Sequence, residues 1–247
     1  MAVKYLLILG IGHLLGDFYF QNEKIAKYKD EKYKGVLLHS LEYYIVNFLV
    51  ILPVFSLDMI FAVTYAALSH FVIDTVKYVL LIKKKICKSG KVFMIDQCAH
   101  VISLFMLAYI MDYWNFSIGQ VSLVINILNT YGCDAEMLAR WILAILFIHI
   151  PANIFIQNFL GDYKPKGEKV IIKADNKAGR KIGTIERLIM LIFLSLNQYA
   201  AMGFVLTAKS IARYDKIAKD EKFAEYYLLG TLVSTLCVVI CRILILV

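Results

Sequence analysis

The 247-residue chain is 60% hydrophobic and only 19% charged, with a mean hydropathy of +0.68. Soluble globular proteins are about one-quarter charged, so this composition excludes a soluble domain and predicts apolar surface against lipid. The formal net charge of +8 comes from lysines between apolar runs. That pattern is typical of cytoplasmic loops facing anionic lipid and argues against direct nucleic-acid binding.

Apolar runs along the chain predict its membrane spans. A spanning helix needs roughly 20 apolar residues to cross about 30 Å of hydrocarbon. The sequence therefore predicts an all-α, polytopic transmembrane helix bundle of about seven spans, forming a single domain over 1–247. The run 118–131 is too short to cross and is interpreted as an interfacial or re-entrant segment. The predicted spans are 3–22, 36–53, 58–82, 92–112, 137–160, 184–207 and 226–246.

Lysine-rich loops alternate with connections that carry no basic residue, and this alternation predicts the orientation. Placing the basic loops in the cytosol gives a multi-pass protein with its N-terminus outside and its C-terminus inside. The stretch 208–225 holds five basic residues yet falls outside in this scheme, so it is interpreted as an amphipathic helix lying in an interface. The basic loops are 23–35, 83–91 and 161–183.

Histidine and aspartate recur inside the predicted spans at one spacing. An ionisable group in a membrane costs about 2.5–3.5 kcal/mol on insertion scales, so such residues are functional candidates. Three spans carry the two residues four positions apart, hence on one helix face, and the second span adds His39. All lie in the predicted cytosolic half. The pairs are His13 and Asp17, His70 and Asp74, and Asp96 and His100.

Imidazole and carboxylate together suit zinc or another first-row divalent ion, and helix bundles build metal sites from inward-facing side chains. The three aspartates are also candidate catalytic residues, as a general base or as groups that orient a ligating imidazole. In the alternative interpretation, each pair is an interhelical hydrogen-bond clamp. The predicted metal ligands are His13, Asp17, His39, His70, Asp74, Asp96 and His100.

A second polar set lies toward the C-terminus. One interpretation is ion pairing of Glu186 or Glu225 with Lys209 or Arg213, which would clamp the last two spans. The other is a cationic clamp for a phosphate head group, in which the basic side chains bind substrate. The candidate substrate-binding residues are Arg187, Lys209 and Arg213.

Seven segments carry a resemblance to a known family. They are GHLLGDFYFQ, LLHSLEYY, SHFVIDTVKY, IDQCAH, GTIERLIMLI, GFVLTAKSIARY and EYYLLGTLVS. With these segments the chain resembles the bacterial integral-membrane family of domain of unknown function 3307. The resemblance implies a bacterial inner-membrane protein with a small cytosolic SatD-type regulator as partner. The first-half histidines and aspartates are also similar in type to those of membrane-bound metal-dependent hydrolases.

These patterns predict a membrane-embedded metal-dependent hydrolase that acts on a lipid or lipid-linked phosphate from the cytosolic side. A divalent metal, zinc first, would be its cofactor, and membrane lipid its partner. The alternatives are a divalent-cation or proton-coupled transporter, or a sensor that signals to a cytosolic regulator. The outer halves of the first four spans are almost wholly apolar, which favours a one-sided site over a transport path.

Overall fold

The structure is a computed structural model that describes residues 2–83, 90–163 and 172–246. Regular structure in these ranges is helical and contains no strand, which confirms the predicted all-α class. Contacts divide the chain into two compact units, Met1–Leu143 and Ala144–Val247.

The first unit is built on four long helices that contact one another in a closed ring, α1 to α3, α3 to α4, α4 to α5 and α5 to α1. A short helix, α2, contacts both α3 and α4. The helices are α1 (Ala2–Leu14, continued by a π-helical turn, Leu15–Phe20), α2 (Glu23–Glu31), α3 (Tyr33–Ile51), α4 (Leu57–Lys83), α5 (Gly90–Tyr113), α6 (Ser122–Thr130) and α7 (Ala135–Phe159), which runs into the second unit.

The second unit consists of the rest of α7 and four further helices. The helix α8 contacts α9 and α11, and the short α10 contacts α11. Asp220 caps α11 by accepting a 3.0 Å hydrogen bond from the backbone N–H of Phe223. The bounds are α8 (Ile172–Ser195), α9 (Tyr199–Ile211), α10 (Tyr214–Lys219) and α11 (Glu221–Ile245).

Six helices in the described residues are long and apolar enough to cross a membrane. They coincide with six of the predicted spans to within a few residues, and they indicate a membrane protein. Their ranges are Ala2–Phe20, Tyr33–Val54, Leu57–Ile82, Gly90–Tyr113, Ala135–Phe159 and Glu221–Ile245.

The predicted span 184–207 is wrong as a single helix. The helix α8 ends at Ser195 and α9 begins at Tyr199. Between them, Asn197 has a left-handed backbone with φ of 57°. Asparagine tolerates this conformation better than most residues, and one such residue is enough to end a helix. Hydropathy carries no information on backbone conformation, so the apolar run 184–207 is continuous in the sequence although the helix is not.

The stretch 208–225 is likewise not one amphipathic helix. It contains the end of α9, the six-residue α10 and the start of α11. The run 118–131 contains α6, whose nine residues are too few to cross a membrane, as predicted. Much of the predicted loops 83–91 and 161–183 lies outside the described residues, although α8 already covers 172–183.

The four-helix ring of the first unit is divided along its length. One half is an apolar core, and the aspartates and histidines occupy the other half of the same helices. On α4, for example, Met59 and Ala66 lie in the apolar core, whereas His70 and Asp74 lie beyond it. The core residues are Tyr5, Leu9, Ile51, Met59, Ala62, Val63, Ala66, Leu104, Ala108 and Met111.

Candidate metal centre

The seven predicted metal ligands are all buried and come together within the four-helix ring. The seven residues lie at one end of the ring and come from all four of its long helices, which are α1 with its π-helical turn, α3, α4 and α5. We call these seven residues the donor cluster. Burial of so many ionisable groups is costly unless they pair or coordinate an ion, so their arrangement calls for a chemical account.

The π-helical turn that follows α1 holds Asp17. Such turns are uncommon and often occur at functional sites. Close packing fixes the helix just before and within this turn. A Cβ atom on Gly16 would lie 2.7 Å from the ring of Tyr43, and one on Gly12 would lie 2.0 Å from Oδ1 of Asn47. The glycines therefore let α1 approach α3 closely and bring Asp17 within reach of the α3 side chains.

Three overlapping sets within the donor cluster could each hold an ion. In every set, one donor atom per residue lies within 4.8 Å of the others. The sets share members, so they form one continuous cluster. They are His13, Asp17 and His70; His39, His70 and Asp74; and Asp74, Asp96 and His100.

The third set has the clearest geometry. Nε2 of His100 lies 3.8 Å from Oδ1 of Asp74 and 3.7 Å from Oδ1 of Asp96. Ligands of a tetrahedral zinc ion, bound at 2.0–2.2 Å, are separated by about 3.4 Å. The three atoms are buried and have no hydrogen-bond partner among the described residues. Buried polar atoms are rarely left unpaired, so this donor set fits a divalent ion.

Two lysines hold the opposite oxygens of the same carboxylates. Nζ of Lys29 lies 3.0 Å from Oδ2 of Asp74, and Nζ of Lys77 lies 2.8 Å from Oδ2 of Asp96. Each ammonium donates to the Oδ2 atom of its carboxylate, Asp74 or Asp96, and leaves the Oδ1 atom facing His100. Partners of this kind orient metal-ligating carboxylates in known sites.

Asp17 is engaged differently, because both of its oxygens have partners. Oδ1 lies 3.2 Å from Nε2 of His39 and 3.5 Å from Nζ of Lys29. Oδ2 accepts a 2.9 Å hydrogen bond from the amide of Gln97. Asp17 is therefore a partner of His39 more than a free ligand.

The charge of Lys29 follows from its surroundings. Burial by itself lowers the pKa of this amine, but attraction to Asp17 and Asp74 outweighs burial and raises the pKa above its ordinary value. The amine is therefore protonated. Three carboxylates, those of Asp17, Asp74 and Asp96, lie beside two basic side chains, Lys29 and Lys77, so the formal charges of these five groups sum to −1.

Sequence reasoning missed several residues of this site. Lys29 belongs to the lysine-rich segment 23–35, which the sequence predicts to be a loop, and Lys77 and Gln97 are not among the predicted site residues. A usable signal existed for Lys77, which lies one helical turn after Asp74 and so shares its face. No sequence signal distinguishes Lys29 from the four exposed lysines around it, which are Lys24, Lys27, Lys32 and Lys34.

The C-terminal polar set does not form one clamp in the structure. Lys209 and Glu186 are 2.6 Å apart, which confirms one of the predicted ion pairs. Arg187 is only 2% exposed and bonds to neutral groups of α7 and α11. Arg213 is exposed at the start of α10. A substrate-binding role for these three residues stays a prediction.

The family described as protein of unknown function (DUF3307) matches residues 5–128, a range that contains the whole donor cluster. No curated protein and no solved structure matches the chain.

Proposed function

Because the chain belongs to the DUF3307 family, whose description names no activity, we propose its function from the arrangement of the donor atoms. The proposed activity is that of a membrane-embedded metal-dependent hydrolase. The observation that carries the proposal is the set of three buried, unpaired atoms on Asp74, Asp96 and His100. Three protein ligands with a further coordination position open are typical of catalytic zinc sites.

Asp74, Asp96 and His100 would hold the ion. A divalent ion there would activate water and polarise the bond to be broken. Asp17 and His39, 3.2 Å apart, form a carboxylate–imidazole pair that would accept the proton of the attacking water. Lys29 and Lys77 keep the ligating carboxylates in position through their Oδ2 atoms.

The substrate class is a lipid or lipid-linked phosphate, reached from the cytosolic side of a bacterial inner membrane. Exposed lysines of α2 and the start of α3 support this class, because they would attract anionic head groups to the end of the bundle that carries the cluster. The apolar core in the other half of the four helices supports access from one side only. The positive-inside rule then puts α2 in the cytosol and the N-terminus outside.

A proton relay is the second candidate, and the remaining negative charge of the cluster favours it. One proton would neutralise that charge without any metal. The relay would serve a transporter, which needs a polar route through the apolar core as well.

Metal analysis of the protein purified in mild detergent separates these candidates. We expect near-stoichiometric zinc, manganese or iron in the wild type, and at least a tenfold loss in Asp96→Asn and in His100→Gln, because each removes a ligand. His149→Gln is the matched control, since His149 is an exposed histidine outside the cluster, and it should keep the ion.

A folded wild-type protein without metal, both as purified and after reconstitution with these ions, would refute the hydrolase and leave the proton relay. If metal is present, turnover of phospholipid or lipid-linked phosphate in vesicles should disappear together with the ion in the two variants.

A further inference from the structure

Asp74 faces two donor sets at once. Its Oδ1 lies near His100, whereas its Oδ2 lies 3.7 Å from Nε2 of His39 and 3.6 Å from Nδ1 of His70. A carboxylate that offers one oxygen to each of two neighbouring sites is suited to bridging a pair of ions, which lie about 3.5–4 Å apart in two-metal enzymes. The donor cluster therefore has a second cation position, on the Oδ2 side of Asp74.

A lysine side chain already occupies that side. Nζ of Lys29 lies 3.0 Å from Oδ2 of Asp74 and 3.5 Å from Oδ1 of Asp17. When the amide of Gln21 is turned so that its oxygen faces the amine, it adds a third acceptor at 3.1 Å. The ammonium group has three donors and no acceptor, so these three oxygens satisfy it fully. The side chain is only 7% exposed.

We propose that the ammonium group of Lys29 fills the second cation position of the donor cluster, so that the protein binds one divalent ion where its donors could hold two. This inference rests on the proposed metal site at Asp74, Asp96 and His100. An ion placed among His39, His70 and Asp74 would share Oδ2 of Asp74 with the ammonium and would be repelled by it at close range in a dry environment.

The fold brings Lys29 into the donor cluster and leaves the neighbouring Lys27 outside it. Lys27, two positions earlier on α2, is exposed and pairs at 3.8 Å with Glu31. The helix α2 lies tightly against the start of α3 at Gly35, where a Cβ atom would lie 2.5 Å from the backbone nitrogen of Lys29 and from the carbonyl of Tyr28. The backbone of Lys29 is therefore held in place by close contact with α3, and its side chain extends from there to Asp17 and Asp74.

Counting bound ions tests the inference. Equilibrium dialysis against zinc or manganese, followed by elemental analysis, should give one ion per chain in the wild type and two in Lys29→Met and Lys29→Gln. Lys29→Arg keeps a charge in place and should stay at one. Lys27→Met, a neutralised lysine on the same helix, is the matched control and should also bind one.

The Gly35→Ala variant supplies a test that leaves every charge in place. The added methyl must move α2 away from α3, which withdraws Lys29, so a second ion should bind here too. Helicity and the elution profile in detergent show whether each variant is folded.

The outcomes separate this inference from the proposed function. One ion per chain in folded Lys29→Met and Lys29→Gln, or two in the wild type, would overturn the role of Lys29 and leave the metal site standing. No ion in the wild type but one in Lys29→Met would overturn the metalloenzyme and support the ammonium as the resident cation. No ion in any variant would overturn both.

Discussion

At the scale of single residues, buried polar side chains in the first unit are held by short-range packing as much as by charge. Asn47 shows this. Its amide donates a 2.9 Å hydrogen bond to the carbonyl of Tyr43 and lies 3.4 Å from the carbonyl of Gly12. Because Gly12 has no side chain, α1 and α3 approach closely here, just before the turn that carries Asp17.

Replacing Gly12 by alanine should destabilise the protein. The new methyl would meet the buried Asn47 side chain at 2.0 Å, so helix or amide must shift, at a cost of about 1–3 kcal/mol. Thermal unfolding in detergent measures the loss. Gly203→Ala is the control, because a Cβ atom there meets nothing within 4 Å, and it should be neutral or slightly stabilising. Equal melting temperatures for the two variants would contradict the close contact.

The residues of the cluster were predictable where spacing alone decides, and not where tertiary contact decides. Three His–Asp pairs four positions apart had to share a helix face, and the structure brings all of them together with His39. The position of Lys29 depends on how α2 folds back onto α3 and α4, which no local pattern records. Asp17 differs from the other two aspartates because Gln97 and His39 contact its two oxygens, and these contacts are also tertiary.

At the scale of helices, α7, α8 and α11 meet at the side chain of Arg187. Its Nε donates to the carbonyl of Ile148 at 2.8 Å, its Nη2 to Asn153 at 2.8 Å and its Nη1 to Ser234 at 3.3 Å. Pro151 lies inside α7 beside these partners, and a proline weakens the hydrogen bonding of the turn before it. Arg187 supplies a donor to that turn.

Arg187→Met should lower the free energy of unfolding by about 2–4 kcal/mol, because acceptors on the two neighbouring helices, α7 and α11, lose their donor. Arg187→Lys should not restore it, since an ammonium cannot reproduce the planar fork. Denaturant titration in mixed micelles measures both. Arg180→Met, at an exposed position of the same helix, should change stability by less than about 0.5 kcal/mol. An unchanged stability with lost phosphate binding would instead favour the predicted substrate-binding role.

The presence of the long helices could be predicted from the length of the apolar runs, whereas the residues at which helices end could not. The six long spans follow from hydropathy because lipid imposes a minimum length on any helix that crosses it. The break between α8 and α9 was missed because it depends on the backbone conformation of one residue, Asn197. The apolar pattern on either side is the same with or without the break.

At the scale of the whole molecule, the number of crossings determines which side each basic segment faces. A three-residue connection joins α8 and α9, and the two helices contact each other, as in a helical hairpin. We expect such a hairpin to enter and leave the membrane on one side. With the six candidate spans of the described residues, the positive-inside rule then predicts 208–225 on the same side as 161–183 and 23–35, without the conflict that a seventh span creates.

The six-span count predicts that the C-terminus lies outside, with the N-terminus, rather than inside. Alkaline phosphatase fused after residue 247 should be active in bacterial cells, and green fluorescent protein at the same place should be dark. Fusions after Tyr163 should give the reverse pattern, because the positive-inside rule predicts the cytosol for the basic segment 161–183. A fluorescent C-terminal fusion would mean that 184–207 crosses the membrane after all.

The apolar core that fills one half of the four-helix ring has an electrical consequence. Voltage drops where mobile ions and water are excluded, so nearly all of the membrane potential should fall across that core. The donor cluster lies beyond that core, at the end of the ring that α2 contacts, so it should stay close to the potential of the compartment on that side. A charge arriving there would cross almost none of the field, although a full crossing is worth about 2.3 kcal/mol per 100 mV. Occupancy of the cluster should therefore be insensitive to voltage and follow the chemistry of one compartment alone.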